Sequence, residues 1–428
     1  MLPTIRRRFC STFSHVVNDA IRLIRVTEND RVLNIKWCDG HEAVLPIIWL
    51  RDTSPDPKTY TFSPAMTARN LVMDKFDVEQ SPTSIKLDKD KNELVLEWPG
   101  DIVSRYPSTW LRFRNPSCPS ARLNRRLNYL LPETTWSSED MKKRLKTFNH
   151  DDVMYDDKTL HDFLEAVCLD GLAVIRNGPK VNGEGVVEEI ADRIGFLQRT
   201  HFGEVFEVKA KQDASNKAYA STSGLPFHTD FPSLSHPPQL QMLHMAQQAH
   251  EGGNSLFVDG FHVAQMLNLI NPDAFNLLTK HSMEYIEEGY DVHDGPDGAP
   301  RKFDFYMTAR HKVIKLDEEG HVIKIQFGNA MRSWFYDCDP NKIQEIYDAM
   351  KLFTNLCYDE KNVLKLHLED GDTVLWANTR VLHTRDDYVD APGNQRTLKG
   401  CYFNWDIVKS KVRVLRKNLN LPESQPSA

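Results

Sequence analysis

The sequence predicts a mainly β protein: a double-stranded β-helix, or jelly roll, with flanking helices, preceded by a small β-rich domain. Three observations predict it. Strand-like runs dominate the chain beyond about residue 195. His228, Asp230, His383 and Arg396, which can bind a metal or an anion, fall in or beside such runs although they lie far apart in sequence, as the rim of a barrel-like sheet requires. A tryptophan-centred pattern also occurs twice within the first 135 residues.

The chain opens on Arg6, Arg7 and Arg8 with Ser11, Thr12 and Ser14, and no acidic residue precedes Asp19. Arg-rich, Ser-rich and acid-poor is the composition of a mitochondrial presequence. Residues 1–18 are therefore expected to be a leader to the mitochondrial matrix; a basic tail on a cytoplasmic protein is the alternative.

Residues 19–135 hold the repeat. Trp37, Pro46 and Trp49-Leu50-Arg51 recur at the same spacing as Trp98, Pro107 and Trp110-Leu111-Arg112. Strand-like runs introduce both copies, and Asp39-Gly40 and Gly100-Asp101 are hairpin-turn pairs. Tryptophan at this spacing reads as core. A polar stretch from Pro132 to Asp140 suggests a linker over residues 136–152.

The second domain is expected over residues 153–428. Leu160, Phe163, Leu164 and Val167 recur at helical spacing until Gly171, and a strand follows over 172–175. A second helix is expected over 185–194. Strands are expected over 240–244, 255–259, 312–316 and 322–327, and a long amphipathic helix over 340–358. Residues 372–378 read as a buried strand running straight on to His383, and 396–402 as a strand with Arg396 at its start.

If the Phe227-His228-Thr229-Asp230 segment is extended, His228 and Asp230 point to the same side. Two imidazoles and a carboxylate on one face of an octahedral metal are the ligand set of non-haem Fe(II) oxygenases. A guanidinium fork such as that of Arg396 suits the far carboxylate of a 2-oxoglutarate cosubstrate. His-x-Asp alone is a weak signal. It gains from its setting, between Gly224-Leu225-Pro226 and the loop Phe231-Pro232-Ser233-Leu234-Ser235-His236-Pro237-Pro238, which is barred from helix.

With those residues in place, the chain resembles the gamma-butyrobetaine dioxygenase family of Fe(II)/2-oxoglutarate oxygenases. The likeness runs from about Arg31 to Arg416 and is strongest from Gly195 to Asp406. It implies hydroxylation of a trimethylammonium carboxylate by O2, gamma-butyrobetaine to L-carnitine, coupled to decarboxylation of 2-oxoglutarate and helped by ascorbate. It also implies an aromatic cage from Phe202, Phe206, Tyr219 and Tyr402, since a cation without N–H donors is recognised by π faces. Asn216 and Asn329 fall where the family contacts the substrate carboxylate. Two cage positions carry Phe where the family has Tyr or Trp.

The resemblance departs at one place. Relatives carry zinc-binding cysteines after Trp-Leu-Arg-Asp, whereas here Thr53-Ser54-Pro55-Asp56 follows with none, so the structural zinc is expected to be absent. Trimethyllysine dioxygenases share the His-x-Asp…His…Arg skeleton but lack the character of residues 232–238. A zinc hydrolase would leave Arg396 without a task, and the complete triad weighs against a non-catalytic betaine-binding protein.

The net charge of −7, without a basic cluster, argues against a nucleic-acid partner. No apolar run reaches membrane-spanning length. The seven scattered cysteines suit free thiols in a reducing compartment. A homodimer is left open.

Overall fold

The computed structural model describes residues 22–63, 67–119, 121–122, 125, 129–132, 134–180, 185–210, 222–294, 299–393 and 395–421. The expected leader, Asn216 and Tyr219 lie outside the described residues. The chain divides into two compact units, one ending at Tyr129 and the other spanning Leu130–Leu421.

In the first unit each copy of the repeat is a three-stranded antiparallel meander closed by a short helix. The first comprises Leu23–Asn29, Val32–Trp37 and Glu42–Pro46 with helix Ile47–Asp52; the second comprises Ser84–Asp88, Glu93–Trp98 and Ile102–Pro107 with helix Ser108–Arg114. Alternation dictates the pleat: Leu33, Ile35 and Trp37 turn inward while their neighbours stay half-exposed. The tryptophans are core, each with its indole N–H satisfied, Trp37 by Ser108 Oγ at 2.8 Å and Trp98 by Ser104 Oγ at 2.7 Å.

The loop after Trp-Leu-Arg-Asp is tied by the arginine of that motif. Arg51 is buried; its Nε donates to Gln80 Oε1 at 2.6 Å and its Nη1 to Thr59 Oγ1 at 3.2 Å. Its guanidinium also lies 5.9 Å from the Phe76 ring and 5.8 Å from the Trp98 ring. One side chain thus ties two separate stretches, at Thr59 and over Phe76–Gln80, to Trp98 of the second repeat.

The second unit is built on two sheets. The larger has six strands in the order Val205–Lys209, Thr397–Phe403, Leu240–Gln247, Thr373–Trp376, Leu172–Arg176 and Thr147–Asn149. The smaller runs Leu364–Leu366, Ser255–Asp259, Val381–Arg385. Between them Val174, Val374, Trp376 and Leu398 of one meet Phe257, Leu364 and Val381 of the other. Helices Asp157–Asp170, Val186–Ile194 and Trp405–Asn418 cover the outer face of the large sheet. Gly260–Ile270, Pro272–Lys280 and Ile343–Tyr358 pack behind the small one. This is the expected jelly roll with flanking helices.

Several expectations need correction. The boundary falls at 129/130, not 135, and residues 136–152 are no linker. Trp136 is buried between the sheets, its N–H groups given to Asp259 Oδ2 and Asp170 O, and Ser137 and Asp140 form a capping box that starts helix Ser138–Arg144. Residues 227–230 are not a strand; His228 makes a single bridge to His383. Nor does the strand over 372–378 run on to His383: it stops at Trp376, turns, and His383 lies within Val381–Arg385 of the other sheet. Gly171 does end its helix, in the left-handed region at φ 78° that a side chain would resist.

The turn between these strands is held by a buried ion pair. Arg380 donates to both oxygens of Asp259, at 3.0 and 2.8 Å, and also to Leu169 O and Thr134 O. Arg380→Ala would strand the Asp259 charge in the interior, so we expect a loss of about 3–5 kcal/mol in stability. Denaturant unfolding checks this; an unchanged midpoint would mean the pair is replaceable.

Among the described residues no helix is long and apolar enough to cross a membrane, and the six described cysteines are free thiols.

Candidate active site

The site forms where the two sheets open. Reciprocal backbone bonds, His228 N to His383 O at 3.2 Å and His383 N to His228 O at 2.9 Å, fix the two histidines side by side with ring centroids 4.3 Å apart. Asp230 reaches the same point, its Oδ1 3.2 Å from His228 Nε2 and 3.5 Å from His383 Nε2. One ligand atom from each residue lies within 4.8 Å of the others.

The surroundings orient these atoms. His228 Nδ1 lies 2.9 Å from Pro226 O, which holds its proton there and turns Nε2 to the cluster. Asp230 N donates to Asn378 Oδ1 at 2.7 Å, and Tyr402 OH donates to Asp230 Oδ2 at 2.6 Å, leaving Oδ1 facing the imidazoles. Burial works to raise the Asp230 carboxyl, but His383, His228 and Tyr402 outweigh it and hold it at about 2. Burial, with His228, pushes His383 down to about 3 against the pull of Asp230. A carboxylate beside a neutral imidazole is the state in which such groups bind a divalent cation.

Arg396 lies just before strand Thr397–Phe403 and is 4 % exposed. Its Nη2 donates to Gly253 O at 3.1 Å, its backbone N–H goes to Asp390 Oδ1, and its buried Nε has no partner. Gly253, at φ 67°, is required here because a Cβ would stand 2.8 Å from that Nε. Burial and the neighbouring Arg385 lower the Arg396 guanidinium to about 10, partly offset by Tyr388, Asp390 and Asp386. A buried cation with an open N–H is a site for an anion.

Aromatic rings adjoin the metal cluster in a closed circuit. Phe202 touches Phe206 at 6.0 Å, Phe206 stacks on Tyr402 at 5.0 Å, Tyr402 meets Phe231 edge-on at 5.4 Å, and Phe231 returns to Phe202 at 5.5 Å. Asn329 lies with His228 in the lining of a small cavity of ≈ 50 Å³. Its Oδ1 accepts from Arg332 Nε at 3.0 Å, so its amide N–H2 is the group left to bind.

Sequence reasoning missed Phe231, His201 and Phe305. Phe231 follows Asp230 directly and holds φ 56°, unusual for a bulky residue. Its adjacency to the triad was the signal available. His201 stacks near Phe202 at 4.2 Å and Phe305 at 4.3 Å; nothing local in the sequence marks either.

The chain is similar to known proteins over most of its length. The profile described as "Taurine catabolism dioxygenase TauD, TfdA family" matches residues 132–402, and "Gamma-butyrobetaine hydroxylase-like, N-terminal" matches 24–86. A gamma-butyrobetaine dioxygenase from Pongo abelii is 33% identical over 401 residues, covering 93% of this chain and 98% of its own length. One from Pseudomonas sp. (strain AK-1) is 31% identical, over 90% of this chain and 94% of its own. The mitochondrial trimethyllysine dioxygenase of Mus musculus is 25% identical, over 86% and 82%. Near-full-length matches to both units, on a jelly roll that gathers two histidines and an aspartate, have one reading: the chain belongs to the gamma-butyrobetaine dioxygenase family of Fe(II)- and 2-oxoglutarate-dependent dioxygenases.

Proposed function

We propose that this protein hydroxylates gamma-butyrobetaine to L-carnitine, with 2-oxoglutarate and O2 converted to succinate and CO2. The observation that carries the reading is the Tyr402 hydrogen bond to Asp230, which joins the aromatic circuit to the metal ligands. A trimethylammonium head held by those rings therefore sits beside the reacting centre.

Each residue has a task in that scheme. His228 Nε2, His383 Nε2 and Asp230 Oδ1 would hold Fe(II), which when bound supplies the activation of O2. Arg396 takes the distal carboxylate of 2-oxoglutarate through its free N–H edge. Phe202, Phe206, Phe231 and Tyr402 hold the ammonium head and exclude water, and the Asn329 amide donates to the substrate carboxylate. Asn216 and Tyr219 are assigned to carboxylate and cage by resemblance alone. Two anchors at opposite ends of a short chain fix which C–H faces the iron. Ascorbate is taken to keep the iron reduced, and the matrix is the proposed compartment.

Incubation with Fe(II), 2-oxoglutarate and a panel of betaines plus trimethyllysine tests the reading. Succinate and hydroxylated product should form best with gamma-butyrobetaine. Succinate tracking trimethyllysine instead would move the chain to the sister activity, and no product from any acid would leave only binding. The cage is tested at Phe206, since replacing Tyr402 also removes a bond to Asp230. Phe206→Leu keeps apolar volume and loses the quadrupole, costing about 0.5–2 kcal/mol, roughly two- to thirtyfold in KM where binding is at equilibrium. An unchanged KM would make Phe206 mere packing.

For the first unit we propose that the Arg51 knot does the holding that zinc does in relatives. Metal analysis of protein prepared without iron should give well below one zinc per chain. A stoichiometric, chelator-resistant zinc would refute that.

A further inference from the structure

The long hairpin of Ser282–Asp294 and Pro300–Lys312 closes over the aromatic circuit, and it carries a charge that none of the roles above uses. Met283, Tyr285 and Glu287 share one face by alternation. The register sets Gly289 opposite Phe305 and Glu287 opposite Met307, so Phe305 and Glu287 lie on that same face. Phe305 covers His201, whose ring also meets Phe202 and Phe231. Glu287 reaches into the same place. Its Oε2 accepts from Ser233 Oγ at 2.9 Å, and its Oε1 lies 3.7 Å from His201 Nε2.

The carboxylate is poorly served where it stands. Its side chain is 12 % exposed, and among the described residues His201 is its one ion-pair neighbour. Burial raises its carboxyl above the ordinary range and the Asp230 charge adds to that, with Ser233 pulling the other way. Holding an acid there has a cost that a permanent cation would repay. The rings of the circuit that meet His201 on this side, Phe202 and Phe231, are both phenylalanines, the weaker kind of cation-binding face.

We propose that Glu287 is the fixed counter-charge for the substrate's ammonium head and so determines selectivity for cationic over neutral acids. The inference rests on the functional reading above, since it supposes a cationic head in the aromatic circuit. Ser233 aims the carboxylate, His201 stands between it and the rings with its Nε2 3.7 Å from Glu287 Oε1, and the hairpin brings it in from outside both sheets. The rings supply shape and dispersion; Glu287 supplies charge.

The test compares gamma-butyrobetaine with its uncharged isostere 5,5-dimethylhexanoate in wild type, Glu287→Gln and Ser233→Ala, by Kd in the presence of 2-oxoglutarate and by KM and kcat. Glutamine keeps the volume and an oxygen for Ser233, so a merely structural Glu287 would leave both acids unaffected. We expect Glu287→Gln to weaken gamma-butyrobetaine binding by about tenfold or more, to leave the isostere equal or improved, and to leave the affinity for 2-oxoglutarate unchanged. Ser233→Ala, which keeps the charge but loses its aim, should weaken the preference for the charged acid less than Glu287→Gln does. Unchanged gamma-butyrobetaine binding in Glu287→Gln overturns the proposal, as does an equal loss for both acids. A wild type that turns over a different trimethylammonium acid overturns the functional reading alone; the Gln variant's loss, measured on that acid against its own neutral isostere, then decides Glu287 separately. A wild type that binds charged and neutral heads equally overturns both.

Discussion

His228→Ala, Asp230→Ala and His383→Ala each abolish succinate formation and iron binding while the protein remains folded. That is the expected result because each side chain gives one donor atom to a single point, and the two segments that carry them, 228–230 and His383, are held by backbone bonds. His228 and His383 are fixed by reciprocal N–H to O bonds that survive truncation of either ring. Asp230 is fixed through its backbone by Asn378. Loss of the ligand therefore need not mean loss of the fold. Circular dichroism and a thermal melt verify folding; metal analysis and succinate release read the site. Full activity in any one variant removes that residue from the site. Tyr402→Phe is the graded companion: it keeps the ring and deletes the bond to Asp230 Oδ2, the kind of supporting bond whose loss weakens metal affinity by about 10- to 100-fold.

These positions were legible in the sequence because their chemistry is carried by residue type and spacing. What failed was the path of the backbone between them. Residues 372–378 read as a strand running straight into 379–383 since the stretch holds no glycine or proline to mark a turn. The turn at 377–380 is made instead by partners distant in sequence: Asn378 Nδ2 bonds Asp230 O and Pro238 O, and Arg380 locks onto Asp259. Sequence periodicity has no access to such bonds. The same reason hid Trp136. Its neighbours are polar and the stretch looks like a linker, yet its indole fills the space between the sheets. The capping-box pattern at Ser137 and Asp140 was the local sign of structure there. The hairpin over residues 282–312 was missed because it is rich in charge and largely solvent-facing, with the residues that matter, Glu287 and Phe305, on its inner side. Amphipathic helices such as Asp157–Asp170 and Ile343–Tyr358 were found because burial and a regular repeat coincide.

Arg396→Ala should raise the KM for 2-oxoglutarate by roughly 30- to 1000-fold, about 2–4 kcal/mol, with the Kd for gamma-butyrobetaine moving far less. Arg396 is the better candidate than its neighbour Arg385, although both are buried and both are cationic. Arg385 Nη1 is already given to Thr222 O and Asp386 O, whereas Arg396 keeps a buried Nε without a partner. An arriving carboxylate satisfies that N–H and relieves the repulsion between the two guanidinium groups, so binding gains from both. Arg396→Lys retains the charge and loses the planar fork, and should fall between wild type and alanine. Arg385→Ala should weaken 2-oxoglutarate less than Arg396→Ala does, since it removes a nearby charge but no contact. Because Arg396 is buried against Gly253 and Tyr388, a melt must accompany the kinetics. A folded Arg396→Ala enzyme with wild-type affinity for 2-oxoglutarate would transfer the anchor to Arg385, and a matching loss in Arg385→Ala would confirm the transfer.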